Sequence, residues 1–94
     1  RIVGKNYLKK WGEIDLIAEK SGKTHFIEVK TFSRETHLKP EDNVHPKKLK
    51  RLHRAIQTYV EEFHVKGDVQ VDVISVRLNL KDKTARCKIL ENVL

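Results

Sequence analysis

The chain has 94 residues, 38% of them hydrophobic, and its 20 Lys and Arg against 13 Asp and Glu give a net charge of +7. This length fits one small domain, and no apolar run approaches the roughly 20 residues of a bilayer-spanning helix, so no membrane span is expected; an anionic membrane ranks second to nucleic acid as a partner for the basic chain, and we expect no membrane partner. The positive charge predicts a polyanionic partner, nucleic acid first, and the single Cys87 excludes an intramolecular disulfide and indicates a reducing, cytoplasmic compartment.

The first elements in chain order are three short strands. Residues 2–8 predict one strand, and residues 13–19 and 24–30 predict two more. Ser21-Gly22 stands between the second and third strands and is typical of a tight hairpin turn. The sequence therefore predicts that the second and third strands pair as a hairpin.

Alternation along the hairpin strands separates an apolar face from a charged face. The apolar side chains that share one face are Ile14, Leu16, Ala18, Ile27 and Val29. The charged side chains that share the other face are Glu13, Asp15, Glu28 and Lys30. We therefore expect three carboxylates and one ammonium group on a single surface of the sheet, directed away from the apolar face.

The turn also predicts which charged residues oppose each other. Counting outward from it places Asp15 opposite Glu28, and Glu13 opposite Lys30. Opposed side chains have Cβ atoms about 4.5–5.5 Å apart, where two like charges are destabilising unless something compensates them. A divalent cation such as Mg²⁺ would do so through carboxylate oxygens. The alternative is a solvated polar face with an ordinary Glu13–Lys30 ion pair, and the register alone does not decide between them.

The second half of the chain predicts one helix and two strands. Pro46 suits the first position of a helix, and apolar residues at spacings of three and four predict an amphipathic helix over residues 46–63. Two strands follow at residues 69–78 and 84–91. Cys87 lies in an alternating pattern within the last strand, and we expect it in the core.

The charges of the predicted helix run in an unusual order. Its first turns carry the cations Lys47, Lys48, Lys50, Arg51 and Arg54, and its end carries Glu61 and Glu62. The helix dipole favours the reverse order by about 0.3–1 kcal/mol per well-placed charge. We therefore expect this end to bind nucleic acid, because cations and the free N–H groups of a first turn both suit phosphate. A solvated basic face, screened by salt, is the alternative.

Other polar residues are assigned mainly structural roles. Residues 31–45 predict the longest loop, which leaves directly from the charged strand and borders the site. Its His37 and His45 are minor candidates for a general base. Asp72 lies in an apolar strand, where we favour a buried partner for a helix Lys or Arg over a part of the site. His25 is expected to be a partnered residue on the apolar face.

The order of these motifs resembles a known family. An acidic residue on one strand followed by Glu-x-Lys on the next is similar to the PD-(D/E)XK nuclease superfamily. The wider resemblance, over about residues 10–76, is to its bacterial UPF0102 branch, also called YraN-like. The segments that carry it are Gly-Glu-Ile-Asp-Leu-Ile-Ala at 12–18, Phe-Ile-Glu-Val-Lys at 26–30, Val-His-Pro-Lys-Lys-Leu-Lys-Arg-Leu at 44–52 and Val-Asp-Val at 71–73.

The resemblance implies a fold, a chemistry and a partner. We expect a single α/β domain over residues 1–94 with a restriction-endonuclease-like mixed sheet, in the order β-β-β-α-β-β, truncated at its N-terminus so that a family helix is missing. By resemblance, Asp15 and Glu28 would bind Mg²⁺ or Mn²⁺, with Glu13 as a further ligand candidate, and Lys30 would orient or activate water. The implied activity is metal-dependent cleavage of DNA, structure-selective or nonspecific because nothing in the sequence reads base edges.

Departures from the family pattern support an alternative. Phe32 stands two residues after the motif Lys, where the family tends to have Arg, and Gln70 or Val71 replaces another Arg. The alternative is a non-catalytic nucleic-acid-binding module with an incomplete active site, and a small structural domain is a third hypothesis. A domain of this size is marginally stable alone, so we also expect either a homodimer or a larger parent chain.

Overall fold

The fold is a mixed sheet with one helix, seen here in a computed structural model that describes residues 1–32 and 46–92. Five strands form one sheet in chain order, and all neighbours are antiparallel except β3 and β4, which are parallel. The elements are β1 (Ile2–Lys9), β2 (Gly12–Lys20), β3 (Lys23–Phe32), α1 (Pro46–Glu62), β4 (Val69–Asn79) and β5 (Thr84–Leu90). This architecture confirms the predicted α/β class and element order, and it is consistent with a restriction-endonuclease-like fold.

Helix α1 connects the two parallel strands. Parallel neighbours need a crossover, and α1 returns the chain across one face of the sheet from the end of β3 to the start of β4. Its first turns lie near Glu28 in the carboxyl-terminal half of β3 and near Gly12 at the start of β2. Among the described residues no helix is long and apolar enough to cross a membrane.

The hydrophobic core lies between α1 and the sheet. The buried residues that form it are Ile14, Ile17, Phe26, Ala55, Ile56, Tyr59 and Val71. The Tyr59 ring packs edge-on against both Tyr7 and Phe26, with ring centroids 5.1 and 5.6 Å apart. The predicted apolar stripe of the helix is thereby confirmed at its centre, while Phe63, just beyond its end, stays 55% exposed.

The predicted hairpin register is confirmed where the strands pair. Lys20 pairs with Lys23, and the ladder continues to Leu16 and Ile27. Ser21 and Gly22 form the turn with φ of 52° and 77°, the left-handed values that a tight hairpin turn requires. One further step of this register would bring Asp15 opposite Glu28.

The face that α1 covers is not the face that alternation indicated. Ile17 and Phe26 pair directly and are both 0% exposed, whereas Leu16 is only half-buried. Because Phe26 and Glu28 are two residues apart, they point to the same face. The prediction that the carboxylates face away from the core is therefore wrong, because Glu28 lies at the margin of the helix-covered face.

Strand β2 changes its alternation at Asp15. Ile14 and Ile17 are three residues apart, so regular alternation would separate them, yet both are completely buried in the same core. Between them, the Asp15 carboxylate accepts the Val29 N–H through Oδ2 at 2.8 Å. Asn6 stands opposite in the β1 register and has a φ of 49°, which Asn tolerates better than most residues. This irregularity turns both isoleucines towards α1.

Strand β5 lies outside the core. All its residues from Thr84 to Ile89 are exposed, and Ile89 is 59% exposed. Cys87 is exposed as well, so the prediction of a core position for it is wrong. The physical reason is that the core is built from α1 and strands β2–β4, and it contains no residue of β5.

Candidate active site

Asp15, Glu28 and Lys30 come together at the carboxyl-terminal half of β3. The Lys30 Nζ lies 3.2 Å from Glu28 Oε1, and both side chains are largely buried, at 17% and 16% exposure. Asp15 is held from the neighbouring strand by its hydrogen bond from the Val29 N–H, the backbone group between the other two residues. The structure thus brings together all three residues predicted to be catalytic.

The pKa of Glu28 is raised above its ordinary value. Burial is the largest cause, the charge on Asp15 adds to it, and Glu13 contributes a smaller increase. Lys30 acts in the opposite direction through its charge and its hydrogen bond, but it does not cancel the shift. A buried carboxylate beside like charges, in a partly open site, is a physical mark of functional residues.

Helix α1 contributes a second cation to Glu28. The Lys48 Nζ lies 3.7 Å from Glu28 Oε1, and its side chain is 48% exposed. The sequence predicted Lys48 only as a phosphate contact. Its position on the sheet side of the first helical turn follows from the crossover, which the sequence pattern alone did not reveal.

The other helix cations lie along one exposed flank. Lys47, Lys50, Arg51 and Arg54 are spaced three and four residues apart, which places them on one side of a helix. The Arg54 guanidinium lies over the Trp11 ring, 4.4 Å from its centroid. This flank therefore borders the start of β2, on the side of the site that faces β1.

Gly12 allows α1 to approach β2 closely. A Cβ at this position would lie 2.5 Å from the Arg51 carbonyl oxygen, closer than real Cβ atoms come. The glycine of the Gly-Glu-Ile-Asp segment thus sets the distance between the helix and the strand that carries Asp15. The adjacent Trp11 Nε1 is buried and has no hydrogen-bond partner among the residues that the structure describes.

The donor set for a metal ion is small. In residues 1–32 and 46–92, no three His, Cys, Asp or Glu side chains are grouped so that they could hold a metal ion. Glu13 is exposed, and it acts on Glu28 through its charge. Mg²⁺ is often bound by one or two carboxylates and keeps waters or substrate phosphates as its other ligands. The fit to a divalent ion therefore rests on the Asp15–Glu28 pair, where the excess negative charge would favour a cation.

The segment after Lys30 was predicted to be a loop that borders the site. Most of the expected site loop, residues 33–45, lies outside the described residues, and so do its His37 and His45. Strand β3 continues through Phe32, so the strand that carries the Glu-x-Lys triplet is longer than predicted.

Asp72 forms a separate cluster on the other face of the sheet. It is 5% exposed, and its Oδ2 lies 2.8 Å from His25 Nδ1. Its Oδ1 accepts hydrogen bonds from Gln70 Nε2 at 2.8 Å and from the Asn92 N–H at 2.9 Å. The predicted helix Lys or Arg partner is wrong because Asp72 is in register with Ile27, on the face away from α1. The structural role and a partnered His25 are confirmed.

The hydrogen bonds determine the pKa of Asp72. Burial alone is the largest influence and would raise it, but the combined bonds from the Asn92 N–H, His25 and Gln70 bring the pKa below its ordinary value. The sequence signal for this cluster was the lone Asp in an apolar strand. Its partner could be found only from the parallel β3–β4 register, which places His25 beside Gln70.

The fold and site define a restriction-endonuclease-like α/β domain with an acidic pair and a lysine on its central strands. A family model described as "Uncharacterised protein family UPF0102" matches residues 1–76. The chain is 34% identical over 92 residues to a UPF0102 protein of Helicobacter pylori strain HPAG1, which covers 98% of this chain and 73% of that protein.

Two further relatives carry the same family description. A UPF0102 protein of Wolinella succinogenes is 34% identical over 77 residues, or 82% of this chain and 68% of that protein. A UPF0102 protein of Bacteroides fragilis is 36% identical over 72 residues, or 77% of this chain and 60% of that protein. The chain belongs to the UPF0102 family, which confirms the resemblance noted in the sequence.

Proposed function

We propose that this protein is a metal-dependent endonuclease-like domain that hydrolyses phosphodiester bonds in DNA. The observation that carries the proposal is the meeting of Asp15, Glu28 and Lys30 beneath the basic first turns of α1. Two carboxylates beside an ammonium group are suited to hold a divalent ion and to stabilise the charge that develops on a phosphate.

Asp15 and Glu28 would be the metal ligands, and Mg²⁺ or Mn²⁺ would polarise the scissile phosphate and lower the pKa of a bound water. The Val29 N–H orients Asp15 before any ligand arrives. The charges of Asp15 and Glu13 oppose ionisation of Glu28, so a nearby cation would relieve this repulsion.

Lys30 would act on the substrate. Its ammonium group lies 3.2 Å from Glu28 Oε1 and is mostly shielded from solvent, on a rigid strand. From there it can donate a hydrogen bond to a phosphate oxygen or hold the attacking water. Such a donor acts on charge in the transition state, so its loss should reduce the rate more than the binding of DNA.

The exposed flank of α1 would bind the DNA backbone. Lys47, Lys50, Arg51 and Arg54 present their charges along one side of the helix. Contacts of this kind position a nucleic acid without reading its sequence. The proposed cleavage is therefore nonspecific or selective for DNA structure.

Cleavage assays test the proposal. Wild type, Asp15→Asn and Lys30→Gln are compared on duplex, branched and single-stranded DNA with Mg²⁺ or Mn²⁺. Asn retains an oxygen that can accept the Val29 N–H, so Asp15→Asn removes the charge while it preserves the hydrogen bond. We expect each variant to lose at least about 100-fold in rate. Activity that survives both substitutions rules out this site.

A second candidate function is a non-catalytic DNA-binding module. Two ammonium groups already lie near Glu28 Oε1, Lys30 at 3.2 Å and Lys48 at 3.7 Å, so this carboxylate has counter-charges without a metal ion. This module would bind DNA without cleaving it under any metal condition, and Asp15→Asn would leave its affinity unchanged. Measurable cleavage by the wild type excludes it.

A further inference from the structure

The β4–β5 hairpin carries a concentration of positive charge that the proposed function has not used. Residues 77–88 contain five cations, Arg77, Lys81, Lys83, Arg86 and Lys88, and one carboxylate, Asp82. At the tip, the Asp82 carboxylate accepts a hydrogen bond from Asn79 Nδ2 at 3.0 Å. Among the described residues, Arg86 and Lys88 form no ion pair.

The sheet register places these charges on the same face as the site. Lys30 aligns with Ser75, and Ser75 pairs with Lys88. Directly paired residues share a face, so Lys88 points to the same side of the sheet as Lys30. With neighbouring strands about 4.8 Å apart, the two lysine positions are separated by roughly 10 Å. Arg86 follows on this face and pairs with Arg77 of β4.

The other face of β5 is apolar. Ala85, Cys87 and Ile89 alternate with Arg86 and Lys88, and all five are exposed. The charges of β5 are therefore concentrated on the side that carries Glu28, whereas a merely solvated strand could bear them on either side. This segregation is what an anionic partner lying across the site would require.

We propose that the basic hairpin, residues 77–88, is a second DNA-binding surface of this protein. The flank of α1 lies beside Trp11 and Gly12, at the start of β2, and the hairpin lies two strands beyond the site on the other side. The Asp15–Glu28 pair thus stands between two cationic surfaces. A duplex that contacts both would bring its phosphate backbone over the carboxylates. This inference rests on the proposed function.

DNA fits this arrangement better than an anionic membrane does. A flat membrane surface that touched both cationic regions would also bring lipid phosphates close to the carboxylates of Asp15, Glu28 and Glu13, whose three negative charges exceed the two ammonium groups beside Glu28. A duplex presents a phosphate strand that can cross the site with a divalent ion beside it. The choice is tested directly with vesicles that contain phosphatidylserine.

The experiment measures DNA binding without a divalent ion. A fluorescently labelled duplex is titrated in EDTA, over a series of NaCl concentrations, with wild type and with Arg86→Gln/Lys88→Gln. Each lost phosphate contact lowers the salt slope of log K by about 0.9, so the variant should lose about 1–2 in slope and roughly tenfold in affinity at low salt. Lys20→Gln/Lys66→Gln is the matched control, because both lysines are exposed and lie at the opposite end of the sheet.

The outcomes separate this inference from the proposed function. If the hairpin variant keeps the wild-type affinity and slope while Lys50→Gln/Arg51→Gln loses both, the second surface is refuted and the proposed function stands. If the hairpin variant and the Lys20/Lys66 control lose affinity equally, the effect is one of net charge, which also refutes it. If the wild type binds the vesicles but no DNA, both proposals fail. All these positions are exposed, so equal melting temperatures confirm that each variant is folded.

Discussion

Glu28 and Asp72 are two largely buried carboxylates on neighbouring strands, and their pKa values shift in opposite directions. Their side chains are 16% and 7% exposed, and they lie on opposite faces of the sheet. The pKa of Glu28 is raised, chiefly by burial and by Asp15, whereas the pKa of Asp72 is lowered despite burial. Burial therefore does not distinguish them, and the difference comes from their partners.

The partners of the two carboxylates indicate different roles. Asp72 receives three hydrogen bonds, from His25, Gln70 and the Asn92 N–H, and these tie β3, β4 and Asn92 together. Glu28 has ammonium groups beside it but also the charges of Asp15 and Glu13. A buried carboxylate whose oxygens accept hydrogen bonds stabilises the folded state. A carboxylate beside like charges lowers the stability of the folded state, and other interactions of the fold must offset this repulsion.

The largest expected effect is on Asp72. Asp72→Ala leaves three part-buried donors without their acceptor, so we expect it to lower the free energy of unfolding by about 3 kcal/mol. The matched variant Glu28→Ala should lower it by less than about 1 kcal/mol, since repulsion is lost together with attraction. Urea denaturation measures both. A larger loss in the free energy of unfolding for Glu28→Ala than for Asp72→Ala would contradict these roles.

A smaller effect is expected from moving α1. In Gly12→Ala the new Cβ would lie 2.5 Å from the Arg51 carbonyl oxygen, so the helix must shift. Overpacking of this kind costs about 1–3 kcal/mol. The control is Gly4→Ala, whose Cβ would meet Ile17 Cδ1 at an acceptable 3.4 Å. We expect a clear fall in melting temperature for the first variant and little change for the second. Equal changes would show that Gly12 does not set the helix position.

The pH dependence of stability should differ in sign between the two carboxylates. The raised pKa of Glu28 means that the folded state holds this proton more tightly, so its contribution becomes unfavourable as pH rises above 4.5, the ordinary Glu value. Glu28→Gln should therefore gain stability relative to wild type between pH 4.5 and neutrality.

Asp72 should behave in the opposite way. Its lowered pKa gives a favourable contribution that is complete above 3.8, the ordinary Asp value, and is lost as pH falls through the folded-state pKa. The stability deficit of Asp72→Asn should accordingly shrink in acid. Urea denaturation of both variants, from acid below pH 3.8 up to neutrality, checks the two signs. The same sign of pH dependence for both carboxylates would contradict the opposite pKa shifts.

Much of this fold was predictable from local patterns. The turn at Ser21-Gly22 determined the hairpin register, and Pro46 with its apolar repeat located α1 to within one residue of its end. The Gly-Glu-Ile-Asp and Glu-x-Lys segments identified the family and the acidic pair. Each of these signals depends on residues that are close together in the sequence, so a single sequence was sufficient to predict them.

What the sequence left open depends on long-range packing. Alternation divides β2 and β3 into two faces, but it does not say which face the helix will cover, and the irregularity at Asp15 shifts the pattern within β2. The apolar positions of β5 looked like core, yet they lie beyond the reach of α1. The His25–Asp72 pair depends on a parallel register that forms only after the crossover.

The most direct test of the central claim is the effect of a divalent ion on stability. Mg²⁺ at ten times its dissociation constant should stabilise the wild type by about 1.4 kcal/mol, or roughly 5–10 °C in melting temperature, compared with NaCl at equal ionic strength. Asp15→Asn and Glu28→Gln should lose this shift, and Asp72→Asn should keep it despite a lower melting temperature. A wild type without the shift, or a shift that persists in both site variants, would contradict a metal site at Asp15 and Glu28.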